Sequence, residues 1–257
     1  MSTLVLSSPS PHLNYLLRLA DDQLILGHRL SEWTGHAPML EEDIALANIA
    51  LDHIGAARSL YDRASEIHGE GLTEDDYAYR RDARAYLNCL LVERPNGDFA
   101  HTIVRQLFYS AFALPLWEAL TRSADETLAA IAAKSEKEAR YHVRHSGDWF
   151  IRLGDGTDES RARMEAAIAS LWPYTGELFE ADAVVTGLVG EGIAADPAAI
   201  EPLWRETVAA AFEEAGLAMP IARGAQTGGR SGRHTEHLGF ILADLQYLQR
   251  AYPGASW

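Results

Sequence analysis

Apolar residues recur every three to four positions through most of this chain, and that periodicity restricts its fold more than any other feature. No stretch shows the two-residue alternation, bounded by turns, of a half-buried strand. Residues 12–33 read as a first long helix with an apolar seam of Leu13, Leu16, Leu17, Ala20 and Leu24, broken by Gly35 and Pro38. A second runs from about 40 to 67, led by Glu41, Glu42 and Asp43, which suit the positive end of a helix. Its apolar surface, with Ile44, Ala47, Leu51 and Ile54 beside Leu46, Ile49, Ala57 and Leu60, is wide enough to demand neighbours on two sides. Residues 74–93 are expected to be helical, ending at Pro95-Asn96-Gly97. The third long helix spans about 98–121, where Pro115 predicts a kink, and the fourth about 125–152, stopping at Gly154-Asp155-Gly156. Shorter helices are expected at 158–172, 198–217 and 235–251, and the aromatic segment 171–179 reads as a packed helix end. Four long helices with short accessory ones make an all-α, four-helix bundle: one domain over residues 1–257, with 1–11 as a flexible lead.

A length of 257 residues is ample for a buried core, and 47% hydrophobic with 23% charged residues is ordinary globular composition. The net charge of −15 argues against nucleic acid and against an anionic membrane surface as partner. A single cysteine, Cys89 in the apolar run Cys89-Leu90-Leu91-Val92, forms no internal disulfide and reads as a buried structural thiol. No apolar run approaches the ~20 residues of a membrane span. Met1 to His12 lacks the basic start of a signal peptide, so a cytoplasmic location is expected.

Polar residues on apolar seams carry what chemistry the sequence offers. Stepping from Leu128 through Ile131 and Ser135 brings Glu138, His142 and His145 onto the stripe that ends at Trp149. Buried polar groups need partners, whether hydrogen bonds, ion pairs or a metal. Asn48, Asp52, Gly55 and Ser59 form a matching polar line on the second helix. A di-iron bundle draws a Glu from each of two helices and a Glu-x-x-His pair from each of the other two. Nowhere here does a Glu precede a His by three positions; Glu138 precedes His142 by four. Asp98 and His101 have the three-residue spacing but sit where a helix should start, so Asp98 reads as an N-cap. A hydrogen-bonded buried network is therefore favoured over a metal site for Glu138, His142 and His145.

Several segments resemble the C subunits of phenylacetyl-CoA epoxidases: Leu30-Ser-Glu-Trp-Thr-Gly-His-Ala-Pro38, Leu46-Ala-Asn-Ile-Ala-Leu-Asp-His-Ile-Gly55, Leu91-Val-Glu-Arg-Pro-Asn-Gly-Asp-Phe-Ala100, Lys137-Glu-Ala-Arg-Tyr-His142, Leu153-Gly-Asp-Gly-Thr-Asp158 and His234-Thr-Glu-His-Leu-Gly239. The likeness extends from about Leu13 to Trp257. It implies a ferritin-like fold and a structural, non-catalytic subunit of a multicomponent monooxygenase in aerobic phenylacetate breakdown. The implied partner is a ferritin-like catalytic A subunit holding the di-iron centre, together with other epoxidase subunits and a reductase that passes electrons from NADPH through flavin and iron–sulfur groups. This chain would carry no cofactor of its own. Against the catalytic paralogue, Glu32 matches the first-helix Glu, Asp52 begins the first Glu-x-x-His with Gly55 in place of its His, and His142 is kept while Ala139 replaces its Glu. These are vestigial ligand positions; Glu138 and His145 are the residues that would have to compensate. A homodimer of the chain alone and a self-sufficient di-iron oxidase or iron-binding protein stay open as alternatives.

Residues 223–234 form a basic, glycine-rich loop. Arg223, Arg230, Arg233 and His234 are candidates to grip CoA phosphates or an acidic partner surface, with four glycines permitting close backbone approach. The competing reading is a solvated connection between two helices.

Overall fold

The periodic segments fold as helices with well-defined starts and stops in the computed structural model, which describes residues 3–6 and 9–255. Helix α1 (Pro11–Ser31) opens behind Ser10, whose hydroxyl accepts the Leu13 N–H, with Pro11 in the first turn. Helix α2 (Leu40–His68) closes on Gly69, left-handed at φ +74°. Between residues 69 and 98 lies a crossover containing only the short α3 (Glu74–Tyr79), a 3-10 turn at 83–85 and α4 (Leu90–Glu93). The continuous helix expected over 74–93 is thus absent. The N–H groups of Leu87 and Cys89 are taken by the carboxylates of Asp21 and Asp22 on α1, at 2.7 Å each, instead of by helical carbonyls.

Helix α5 (Phe99–Leu120) continues through Pro115, and α6 (Glu126–Gly154) follows. Both start on aspartates: Asp98 accepts the His101 N–H, and Asp125 accepts those of Thr127 and Leu128. The chain then adds α7 (Asp158–Leu171), a 3-10 segment at 172–179, α8 (Ala183–Gly190), α9 (Pro197–Glu214) and α10 (Glu236–Ala251). Helix α8 lies in a stretch where the sequence predicts nothing regular. The lead expected to be flexible is partly docked: Leu4 donates its N–H to Arg80 O at 2.8 Å, and Leu4 and Leu6 lie on the core. Residues 1, 2, 7 and 8 of that lead lie outside the described residues.

Helices α1, α2, α5 and α6 form the bundle, α1 pairing with α2 and α5 with α6, with the 69–98 crossover joining the two pairs. Helices α1 and α5 are buried almost all round. Helices α7 and α9 pack mainly on α5 and α8 on α1, while α10 lies over the 69–98 crossover and touches α1. The aromatic segment at 172–179 packs as expected, with Trp172 5.6 Å from Phe108 and 5.7 Å from Trp204, ring centre to ring centre. Helices α2 and α6 keep an outward face bare. Among the described residues, no helix is long and apolar enough to cross a membrane.

Candidate functional site

Where a di-iron bundle would hold its metals, this bundle is closed by its own side chains. His142 on α6 sets Nε2 3.0 Å from the Asp52 carboxylate on α2. Beside it, His53 and Gln23 meet at 2.6 Å, and Gln23 donates from Nε2 to the Tyr109 hydroxyl at 2.8 Å. The Gln23 oxygen only accepts, so His53 carries its proton on Nδ1 and leaves Nε2 bare. That Nε2 is buried without a partner. Burial, then the His142 and Arg105 charges, hold His53 well below the usual imidazole range. Ser146 donates to the His142 carbonyl at 2.7 Å and lies 3.1 Å from Ser110. What space remains, lined by Gln23, Asp52, His53, Ser110, Ala139 and His142 among others, is a cavity of about 10 Å³, room for one water.

At the edge of this centre Glu138 pairs with Lys134 at 3.4 Å; burial and then the Asp52 charge push its carboxyl up. The Lys134 ammonium lies 3.9 Å from where a Cβ on Gly55 would stand. His145 meets Glu42 of α2 at 2.8 Å, both largely buried. The polar stripe of α6 thus makes three separate pairs, with His142 buried, Glu138 half-buried beside an exposed lysine, and His145 leaving Nδ1 without a partner. Glu32 is a correction: it caps the C-terminal end of α1, paired with Arg29 at 2.8 Å and accepting from Asn96 at 2.9 Å. The α1 residue that faces the cavity is Gln23, about two and a half turns away. Asp98 caps α5 and meets His101 and Arg163. This donor set does not fit a di-iron centre. Gly55 and Ala139 offer no donor atom, Gln23 is neutral, and among the described residues no three His, Cys, Asp or Glu side chains are placed to share an ion.

The basic loop is built differently from its sequence reading. Arg230 turns inward, its two Nη atoms 2.9 and 2.7 Å from the two oxygens of buried Asp22. Burial alone would lower the Arg230 pKa, but Asp22 more than offsets it and the guanidinium is held firmly charged. His234 is also buried, with Nδ1 2.8 Å from Glu93 and Nε2 2.8 Å from Tyr86 O. A carboxylate and a carbonyl on its two nitrogens require both to donate, so His234 is an imidazolium; burial opposes this, and Glu93 raises its pKa in net. Arg223 pairs with Glu201 at 3.3 Å, and Arg233 stays exposed. Two of the four residues expected to reach a ligand are thus spent inside the fold, and the loop presents no common cluster.

Glu177 fastens the same loop, accepting the Gly228 and Gly229 N–H groups at 2.8 and 2.7 Å and that of Leu90 at 2.6 Å. Two glycines make this approach possible: a Cβ on Gly229 would lie 2.1 Å from Asn88 O, and one on Gly232, at φ +74°, 2.3 Å from Arg84 O. A second buried pair, Asp21 with Arg81, adds the Tyr61 hydroxyl and places the guanidinium 4.2 Å over the Tyr86 ring. Asp21, Asp22 and Gln23 are buried polar positions that the seam pattern passes over; their signal is three consecutive polar residues between Leu19-Ala20 and Leu24-Ile25-Leu26.

The profile of a family described as phenylacetic acid catabolic protein matches residues 6–257. The chain is also 52% identical, over 243 residues, to the C subunit of the 1,2-phenylacetyl-CoA epoxidase of Escherichia coli (strain K12), covering 95% of this chain and 98% of that protein. The chain belongs to the phenylacetic acid catabolic protein family. Its bundle is the ferritin-like helical fold of that family, as the sequence resemblance implied. Within the family's fold, this member fills the middle with an amide, two imidazoles and two serine hydroxyls.

Proposed function

We propose that this chain is a non-catalytic structural subunit of a multicomponent phenylacetyl-CoA 1,2-epoxidase, working in the cytoplasm on aerobic phenylacetate breakdown. It pairs with a di-iron catalytic A subunit, which in turn meets the other epoxidase subunits and a reductase supplying electrons from NADPH through flavin and iron–sulfur groups. The observation that carries this reading is the closed centre, where Gln23 pairs with His53 and Asp52 with His142 around space for one water. The likeness to the C subunit of an epoxidase supports the pathway and substrate of this reading.

Co-expression with the catalytic subunit tests it. The two chains should elute together, epoxidation should fall at least about tenfold when this chain is omitted, and iron should follow the catalytic subunit. Separate elution with activity unaffected would refute the pairing. Close to two irons on this chain purified alone would refute the non-catalytic role.

A further inference from the structure

Helices α7 to α10 leave the outward face of α2 and α6 uncovered, and that face has the wrong chemistry for solvent. On α2, Leu40 is 70% exposed, Ile44 54% and Leu51 65%, at positions i, i+4 and i+11 of one stripe. Tyr141 of α6 continues the surface from beside His142 and His145, the residues that join α6 to α2. Exposed apolar residues aligned on adjoining helices mark an interaction surface, where isolated ones would not.

Charge on this face runs against that of the molecule. The chain has two lysines, Lys134 and Lys137, and both stand on this stretch of α6. Arg144 lies 5.6 Å over the Tyr141 ring. Neither Lys137 nor Arg144 has an acidic partner among the described residues, in a protein with 37 acidic side chains. Of the carboxylates between the two helices, Asp52 is engaged with His142 and Glu138 with Lys134.

We infer that the α2–α6 face, an apolar strip of Leu40, Ile44, Leu51 and Tyr141 edged by Lys134, Lys137 and Arg144, is the surface that docks a partner subunit through an apolar helix face flanked by carboxylates. A second copy of this chain is the poorer occupant, because it would bring the same unpaired cations to the contact. The inference rests on the pairing proposed above and names the side of the molecule that performs it.

Its test is carried out on the co-expressed complex. Zero-length carbodiimide cross-linking joins lysines to carboxylates in contact, and the lysines of this chain stand only here. Mass spectrometry should find links from Lys134 or Lys137 to Asp or Glu of the catalytic subunit. Ile44→Glu and Leu51→Glu, at exposed positions, should weaken the complex about a hundredfold or more with unchanged unfolding midpoints. Lys137→Glu should weaken it up to about tenfold, with the larger effect at low salt. Phe240→Glu and Tyr247→Glu, on the exposed side of α10, should bind as the parent does. If the complex forms and both α2 variants bind normally, the face is wrong and the pairing survives. A homodimer broken by Leu51→Glu while the mixed complex persists would also overturn the inference. If the parent chain forms no complex, pairing and face fall together.

Discussion

Removing the guanidinium of Arg230 would leave Asp22 buried with one backbone N–H, from Cys89, to hold its charge. Deleting one partner of a buried ion pair costs about 3–5 kcal/mol, because the remaining charge has lost both water and counter-ion. Arg230→Ala should therefore destabilise the fold by about that amount in urea denaturation. Arg233→Ala, at an exposed position three residues on, should change stability by less than about 0.5 kcal/mol. Equal small effects would mean that Asp22 is protonated in the folded chain, a direction in which burial already pushes it. The contrast separates two arginines that look alike in sequence. Nothing in the pattern of residues 223–234 says which of them turns inward; that information sits on α1, some two hundred residues earlier.

The glycine-rich loop is an element held from beneath. Glu177→Gln replaces an acceptor of four backbone N–H groups with an amide that must present N–H to at least one of them. Residues 224–235 should then lift, and trypsin should cut after Arg230 or Arg233 about tenfold faster at 25 °C; an unchanged rate would place the loop's anchorage elsewhere. The long bundle helices are legible in the sequence because a 3.6-residue apolar period survives whatever packs against it. The 74–93 segment misleads for a related reason. Its local pattern favours helix, but carboxylates on α1 and at Glu177 take the N–H groups of Leu87, Cys89 and Leu90. Helix α8 escapes notice because it is eight residues long and contains Gly187 and Gly190. At the centre, the missing donors at Gly55 and Ala139 are plain from the sequence. The α1 position is not: the resemblance points to Glu32, and a helix buried on all sides gives no phase by which to choose Gln23.

For the molecule as a whole, buried imidazoles set the response to pH. His28 and His237 are lowered by burial, and His53 is lowered well beyond them. As the pH falls through about 6.5, the unfolded chain binds protons that these folded sites refuse, so the stability they confer is full above that value and lost below it. His234 acts with the opposite sign. Its raised pKa contributes stability that is complete below about 6.5 and fades as the pH rises through the folded value. Between about pH 6.5 and 5 the lowered sites should dominate, and stability from denaturant titrations should decline on acidification. His53→Asn, which keeps a donor for Gln23, should flatten that decline by up to about 1.4 kcal/mol per pH unit, one proton's worth. An unaltered slope would transfer the effect to another group.

The clamps around α1 also bear on how the chain is made. Asp21 and Asp22 are made early, but Arg81 follows sixty residues later, and Arg230 is separated from Asp22 by 208 positions. Glu93 likewise waits for His234 and Thr235, and Glu177 for Gly228 and Gly229. A nascent chain stopped short of residue 228 leaves Asp22 without its guanidinium and Glu177 without the loop it fastens, so the bundle cannot fully close from its N-terminal half outward as a growing polypeptide ordinarily begins to. Synthesis of residues 228–235, more than the emergence of any one helix, becomes the event that commits this molecule to its native core.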